Sequence, residues 1–176
     1  MQIGDKIKSE IRDVPDFPKK GIVFKDITPI MLNPTLSNEI LSDLYEHYKN
    51  SGITKIAGIE SRGFLFGYPL AMKLGIPFVL IRKEGKLPYD KISYSYNLEY
   101  GSATVEMHTD AINQEDKVLI HDDLLATGGS ASAAAEMITK QGGSVQGFSF
   151  LVGLSFLKGK EKLNKFTKNI IILADY

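Results

Sequence analysis

The sequence predicts an α/β fold, a mostly parallel β-sheet flanked by helices, and three observations carry that prediction. Short β-branched runs at Lys55–Ile59, Pro77–Arg82, Lys117–His121, Val145–Val152 and Asn169–Leu173 recur from residue 55 onward with helical stretches between them. Two of those stretches, Phe64–Leu74 and Ser130–Gln141, are each followed by glycine (Gly75, and Gly142-Gly143), where a helix C-terminus is expected. The run at 118–121 leads straight into two acids, a glycine-bearing loop and a helix, an arrangement characteristic of a strand–loop–helix unit. With 176 residues and no repeat, low-complexity tract or linker, one domain over residues 1–176 is expected.

The remaining elements follow in chain order. Ile3, Ile7 and Ile11 recur every fourth residue among polar ones, which predicts a short amphipathic helix ended by the Pro15 and Pro18 region. A loop is expected through Phe17-Pro18-Lys19-Lys20-Gly21. Asn33-Pro34-Thr35 then opens a second helix, with Leu36, Ile40, Leu41, Leu44 and Tyr48 on one face. Over residues 86–107 the period changes. Ile92, Tyr94, Tyr96 and Leu98 alternate with polar residues, Gly101 breaks the run, and a second alternating run follows, which predicts a hairpin or flap projecting from the sheet.

Composition excludes several function classes. Lys plus Arg (21) balances Asp plus Glu (21), so no global field draws the chain toward nucleic acid or an anionic membrane. Any bound anion must be held by local groups. Cysteine is absent, which removes disulfides, thiolate zinc sites and cysteine nucleophiles. The N-terminal residues lack the apolar stretch of a secretory signal, and no window approaches the ~18 apolar residues of a membrane span, so a cytoplasmic location is expected.

Chemistry concentrates in Val118-Leu119-Ile120-His121-Asp122-Asp123-Leu124-Leu125-Ala126-Thr127-Gly128-Gly129-Ser130. A strand followed by such a loop presents backbone N–H groups at a helix N-terminus, where the helix dipole favours a phosphate. Thr127 and Ser130 add hydroxyl donors, while Gly128 and Gly129 permit the tight turn and close approach that a Cβ would block. Ionised acids accept hydrogen bonds only, so Asp122 and Asp123 suit the vicinal hydroxyls of a ribose. Phosphate beside diol describes a ribose 5-phosphate site. The loop is not a Walker A sequence: Gly58 and Gly63 have that spacing, but Phe64 stands where the lysine is required. Nor do the acids alternate around a central glycine as in an EF-hand.

Residues 122–130 resemble the phosphoribosyl pyrophosphate (PRPP) motif of the type I phosphoribosyltransferases, in a form similar to that of the adenine phosphoribosyltransferases. Three further stretches agree: Gly21-Ile22-Val23-Phe24-Lys25-Asp26-Ile27, Glu60-Ser61-Arg62-Gly63-Phe64-Leu65-Phe66-Gly67, and Arg82-Lys83-Glu84-Gly85-Lys86-Leu87-Pro88 followed by Leu98-Glu99-Tyr100-Gly101. They occur in family order from residue 21 to about 163. The resemblance implies a Rossmann-like type I phosphoribosyltransferase fold with an N-terminal hood and a flexible flap at about 83–107. It implies transfer of the 5-phosphoribosyl group from PRPP to N9 of adenine, giving AMP and pyrophosphate in purine salvage.

By the same resemblance, Asp122, Asp123, Ala126, Thr127, Gly128, Gly129 and Ser130 hold the ribose 5-phosphate. Glu60, Ser61 and Arg62, with a cis peptide between Glu60 and Ser61, form a pyrophosphate cradle to which Lys83 and Lys86 add cations. Val23, Phe24, Lys25 and Leu154 hold adenine, Phe24 by stacking on the ring. Arg62 and the flap residue Glu99 are the catalytic candidates, with Tyr100 beside Glu99; a carboxylic acid there would exchange a proton with the base. Mg2+ is expected, carried mainly by the substrate's own oxygens, and a homodimer is implied.

Three positions depart from the family pattern: Lys25 for a frequent arginine, Ser130 for the usual threonine, and Gly153 where many members carry glutamate. His121, at a strand end, reads as a structural residue, and His47 and His108 have no second ligand at metal spacing. A transferase for another base would share the motif at 122–130, and Val23-Phe24-Lys25 and Leu98-Glu99-Tyr100-Gly101 argue against it. A PRPP-sensing regulator would need a DNA-binding domain, for which there is neither length nor basic excess.

Overall fold

Ile3–Glu10 (α1) buries Ile7 completely, and the helix stops well before Pro15. The expected end at the proline region comes early because Arg12–Pro15 (β1) pairs antiparallel with Val23–Asp26 (β2), from Arg12↔Asp26 to Pro15↔Val23. Residues 23–25 therefore lie in a strand whose partner also had no clear sequence signal. This two-stranded ribbon is the hood, and a short helix, Thr28–Met31 (α2), follows it. In the computed structural model, residues 1–97 and 101–176 are described.

Pro34–Tyr48 (α3) forms where expected: the Asn33 side chain accepts the Leu36 amide at 3.1 Å, Pro34 occupies the first turn, and Leu36, Ile40, Leu44 and Tyr48 are buried. The following elements are Lys55–Ile59 (β3), Gly63–Leu74 (α4), Phe78–Lys83 (β4), Lys91–Asn97 (β5), Ser102–His108 (β6), Lys117–Leu125 (β7), Gly129–Lys140 (α5), Ser144–Gly153 (β8), Gly159–Leu163 (α6) and Ile170–Asp175 (β9). Gly75, at φ 69°, ends α4 in the left-handed conformation that glycine tolerates.

Seven strands form one sheet in the order β5-β6-β4-β3-β7-β8-β9, with β4, β3, β7, β8 and β9 mutually parallel. Alternation along each strand sends side chains to two cores. Ala57, Ile59, Val118, Ile120, Phe148 and Phe150 pack with Ala134, Met137 and Ile138 of α5. Ile56, Leu119 and Leu151 face the other way, against Ile40 and Leu44 of α3 and Phe66 and Leu70 of α4. So α4 and α5 lie on opposite faces, and the strands that lead into them, β3 and β7, are neighbours.

Two expectations are corrected. The strand predicted to end at His121 continues to Leu125, because β8 offers partners Asp122↔Phe150, Leu124↔Val152 and Leu125↔Gly153; both acids are strand residues. The 86–107 segment is not wholly a projection. β5 and β6 pair along their length, and β6 joins the main sheet antiparallel to β4 at Arg82↔Glu106 and Lys83↔Val105.

Candidate active site

The parallel strands all finish at one edge of the sheet. Glu60–Arg62 follow β3, Lys83 ends β4, Ala126–Gly128 follow β7, Leu154 follows β8 and Tyr176 follows β9. Ligands in open α/β sheets bind outside the carboxyl ends of the strands, at the crevice where neighbouring strands send their helices to opposite faces. Here that crevice lies between β3 and β7.

At the end of β7 the chain turns through Gly128 (φ 75°) into α5. The first backbone bond of α5 runs from the Ser132 amide to the Gly128 carbonyl at 2.9 Å, which leaves the amides of 129–131 without an intrahelical partner. These amides face a cavity of about 120 Å³ walled by Ala126, Thr127, Gly128, Gly129, Ser130 and, from the hairpin, Tyr96. The Tyr96 ring lies against Gly129, where a Cβ would come within 2.9 Å of it. Unpaired amides, hydroxyls and a helix N-terminus suit a phosphate group. The loop is backed by Gly159, whose Cβ would stand 2.2 Å from the Ala126 carbonyl oxygen.

Across the crevice, the Glu60–Ser61 peptide is cis, at the position the resemblance implies. Gly63 opens α4 so close to β7 that a Cβ would lie 2.7 Å from the His121 carbonyl oxygen and 3.1 Å from Asp122 Oδ1. That contact sets the Arg62 side chain beside the two acids: Nε lies 2.7 Å from Asp123 Oδ2, and its guanidinium carbon lies 5.1 Å over the Phe24 ring. One residue thus links the two acids to the hood. Asp122 Oδ1 accepts the Asp123 amide at 2.9 Å. Burial raises the Asp122 carboxyl well above the ordinary range, and the Asp123 charge adds to this. Burial also raises Asp123, against the lowering effect of Arg62.

Glu60 plays a part that sequence reasoning did not foresee. Its carboxylate accepts Arg82 Nε (3.1 Å), Arg82 Nη2 (3.2 Å) and the Lys83 amide (3.0 Å), and the Arg82 hydrogen bonds are the main reason its pKa is lowered. Its side chain is therefore a strut between β3 and β4, and what it offers a ligand is backbone. Arg82 Nη1 also donates to the Lys86 carbonyl at 2.8 Å. Lys83 and Lys86 sit exposed on this braced turn, and neither forms an ion pair with any described residue.

The largest cavity at this edge, about 670 Å³, has Val23, Lys25, Leu154 and Thr127 in its wall, together with Asp13, Ile22, Phe156 and Tyr176. Three of the four residues assigned to a base are thus brought together, beside Thr127 of the loop after β7. Phe24 projects from the opposite side of β2 and packs edge-on against Phe17, 5.2 Å between centroids. Its ring is paired with Arg62 rather than part of the cavity wall. Glu99 and Tyr100 lie outside the described residues. Asp13 and Tyr176 had no sequence signal: one is an acid among many, the other one of eight tyrosines with no motif around it.

His121 is fully buried, its Nδ1 3.1 Å from Ser149 Oγ, and burial lowers its pKa to about 4. It is a neutral core residue facing away from the crevice chemistry. Among the described residues, no group of three or more His, Cys, Asp or Glu side chains could cage a metal. No described helix is long and apolar enough to cross a membrane.

Comparison with known proteins gives the arrangement its relatives. Residues 25–171 match the family model described as a phosphoribosyl transferase domain. The chain is 49% identical over 172 residues to the adenine phosphoribosyltransferase of Haemophilus ducreyi, covering 98% of this chain and 96% of that one. Its structure matches the crystal structure of the adenine phosphoribosyltransferase from Thermoanaerobacter pseudethanolicus at TM-score 0.93 and 46% identity, over 98% of this chain and 99% of that one. The Giardia lamblia enzyme complexed with 9-deazaadenine matches at TM-score 0.93 and 37% identity, over 100% and 98% of the two chains. Identity of this order over nearly the full length of both chains means that the chain belongs to the adenine phosphoribosyltransferase family.

Proposed function

We propose that the chain transfers the 5-phosphoribosyl group of PRPP to N9 of adenine, with the 5′-phosphate on the loop after β7, the diphosphate between the loops after β3 and β4, and the base between β2 and Leu154. The observation that carries this reading is the joining of an anion-ready helix N-terminus, two acids and Arg62 in one crevice, beside a cavity walled by Val23, Lys25 and Leu154.

In the reaction the C1′–O bond of PRPP breaks and its electron pair leaves with pyrophosphate. The N9 lone pair forms the new bond to C1′, and the N9 proton passes to a base. Charge develops at both ends of the breaking bond, so fixed donors at the diphosphate should contribute most. Arg62, Lys83, Lys86 and the amides of Ser61 and Arg62 take that role; Asp122 and Asp123 hold the ribose hydroxyls. Phe24, on the other side of β2 with the Arg62 guanidinium over its ring, stands outside the cavity proposed for the base. Glu99, assigned by resemblance, receives the base proton.

Mg2+ is carried mainly by the oxygens of PRPP itself, hard donors of the kind it prefers, beside Asp122 and Asp123, which hold the ribose hydroxyls. Bound there, Mg2+ would neutralise the diphosphate as it departs. The same reading makes the chain a cytoplasmic homodimer formed from one domain. The exposed apolar residues Leu65, Tyr68 and Met72 of α4, with Leu80 of β4, support a second copy as the partner. Incubation with adenine, PRPP and Mg2+ should yield AMP and pyrophosphate in equal amounts, and a chelator should stop it. Pyrophosphate without AMP would mean hydrolysis and would overturn the reading.

A further inference from the structure

Lys25 carries the only cationic side chain among the residues that wall the large cavity, and its ammonium is already engaged. Its Nζ lies 2.7 Å from Asp13 Oδ1 and 4.0 Å from the centroid of the Tyr176 ring. Lys25 is mostly buried, with 13% of its side chain exposed, although Asp13 is half-exposed. Tyr176 is fixed in turn. Its amide donates to the Gly153 carbonyl at 3.0 Å, its carbonyl accepts the Ser155 amide at 3.0 Å, and Lys8 Nζ of α1 lies 5.2 Å from the centroid of its ring. Asp13 comes from β1, Lys25 from β2 and Tyr176 from the end of β9, so three elements meet on one ammonium.

The chemistry of purines gives this clasp a consequence. Adenine presents a donor at C6, its amino group, where a 6-oxopurine presents a carbonyl acceptor. A free ammonium in the cavity wall would reward the carbonyl. An ammonium balanced by a carboxylate and drawn onto an aromatic face does not, and Asp13 adds an acceptor that favours an amino group over an oxygen.

We propose that Asp13 and Tyr176 are positioning residues for base selectivity: they hold the Lys25 ammonium back from the base and so set adenine above 6-oxopurines. This rests on the proposed reading of the cavity as the base site. It assigns a role to the side chain of Lys25 that is separate from any backbone contact with adenine, and it involves Tyr176, beyond the end of β9, in specificity.

The test compares adenine with hypoxanthine, by kcat/KM at saturating PRPP and by Kd from calorimetry, in the wild-type chain and in D13N, Y176A, Y176F and D13N/K25M. The hypoxanthine-to-adenine ratio should rise ~10-fold or more in D13N and Y176A, the scale on which one hydrogen-bonding group discriminates between bases. Y176F keeps the ring and should retain the wild-type ratio. Removing the cation in D13N/K25M should abolish the gain of D13N, and KM for PRPP should stay unchanged throughout. A ratio unmoved in D13N, or a gain that survives the loss of Lys25, would overturn the proposal. Thermal melts identify a variant that fails to fold, and D13N, which only exchanges one oxygen of a half-exposed carboxylate for an amide nitrogen, carries the test if Y176A fails to fold. Absence of adenine turnover by the wild-type chain would sink the reading of the reaction, while the Kd ratios still decide the role of the clasp.

Discussion

Arg62 joins the two halves of the site, 2.7 Å from Asp123 and 5.1 Å over Phe24, and it can do so because Gly63 lets α4 start against β7. His121, one residue before the acids, faces the core instead, and its buried imidazole yields a prediction. Its pKa falls from 6.5 to about 4 on folding, because burial penalises the charged ring. Between those values the unfolded chain binds a proton that the folded chain refuses. Stability contributed by the neutral ring is therefore lost as pH falls from 6.5 toward 4, by about 3 kcal/mol over the whole window. Asp122, whose carboxyl is raised, acts in the opposite sense above its ordinary value, since there the folded state binds the extra proton. A denaturation curve sums the two effects; NMR of the imidazole separates them. The His121 resonances should stay those of a neutral ring down to pH 5, and a midpoint near 6.5 would contradict the burial argument.

At the level of elements, the loop after β7 owes its shape to what lies behind it. Gly159 opens α6 with the Ala126 carbonyl in the place of its missing side chain. Gly159→Ala should cost about 1–3 kcal/mol, the usual range for a forced contact in a packed region. It should also raise KM for PRPP more than KM for adenine. A melting temperature and PRPP affinity equal to the wild type would show that the loop does not depend on this contact. The sequence contains the loop itself in full, because strand, acids, glycines and helix are contiguous and each has a local physical signature. Its backing is not legible, since Gly159 lies far along the chain and nothing local distinguishes it from a turn glycine. The same contrast separates α3, whose cap and apolar stripe are local, from β1 and β2, each four residues long and defined only by pairing with the other. Likewise the acids read as a strand end because polarity suggests termination, whereas pairing with β8 carries the strand on to Leu125.

For the molecule as a whole, parallel pairing gathers the ends of five strands at one edge, so residues as distant as Arg62, Asp123, Leu154 and Tyr176 meet there. The βαβ alternation made this architecture readable, and the contiguous motifs made the loops after β3 and β7 readable. The partners of Lys25 were not, because they depend on where β1 and β9 finish. Assembly belongs to this scale too. Sedimentation should give a species of twice the 19.5 kDa chain mass, and Met72→Glu, a charge on the exposed face of α4, should shift it toward the monomer. A wild-type monomer with full activity at micromolar concentration would remove the dimer from the account.

The most direct measurement is the initial rate of pyrophosphate release with PRPP, Mg2+ and, in turn, adenine, hypoxanthine, guanine and xanthine, in the wild-type chain and in Asp122→Asn/Asp123→Asn. The account predicts turnover with adenine well above the other three bases and a loss of ~10-fold or more in kcat/KM for PRPP in the variant, as expected when hydrogen bonds to charged acceptors are removed. Equal rates with a 6-oxopurine, or a variant as active as the wild type, would contradict it.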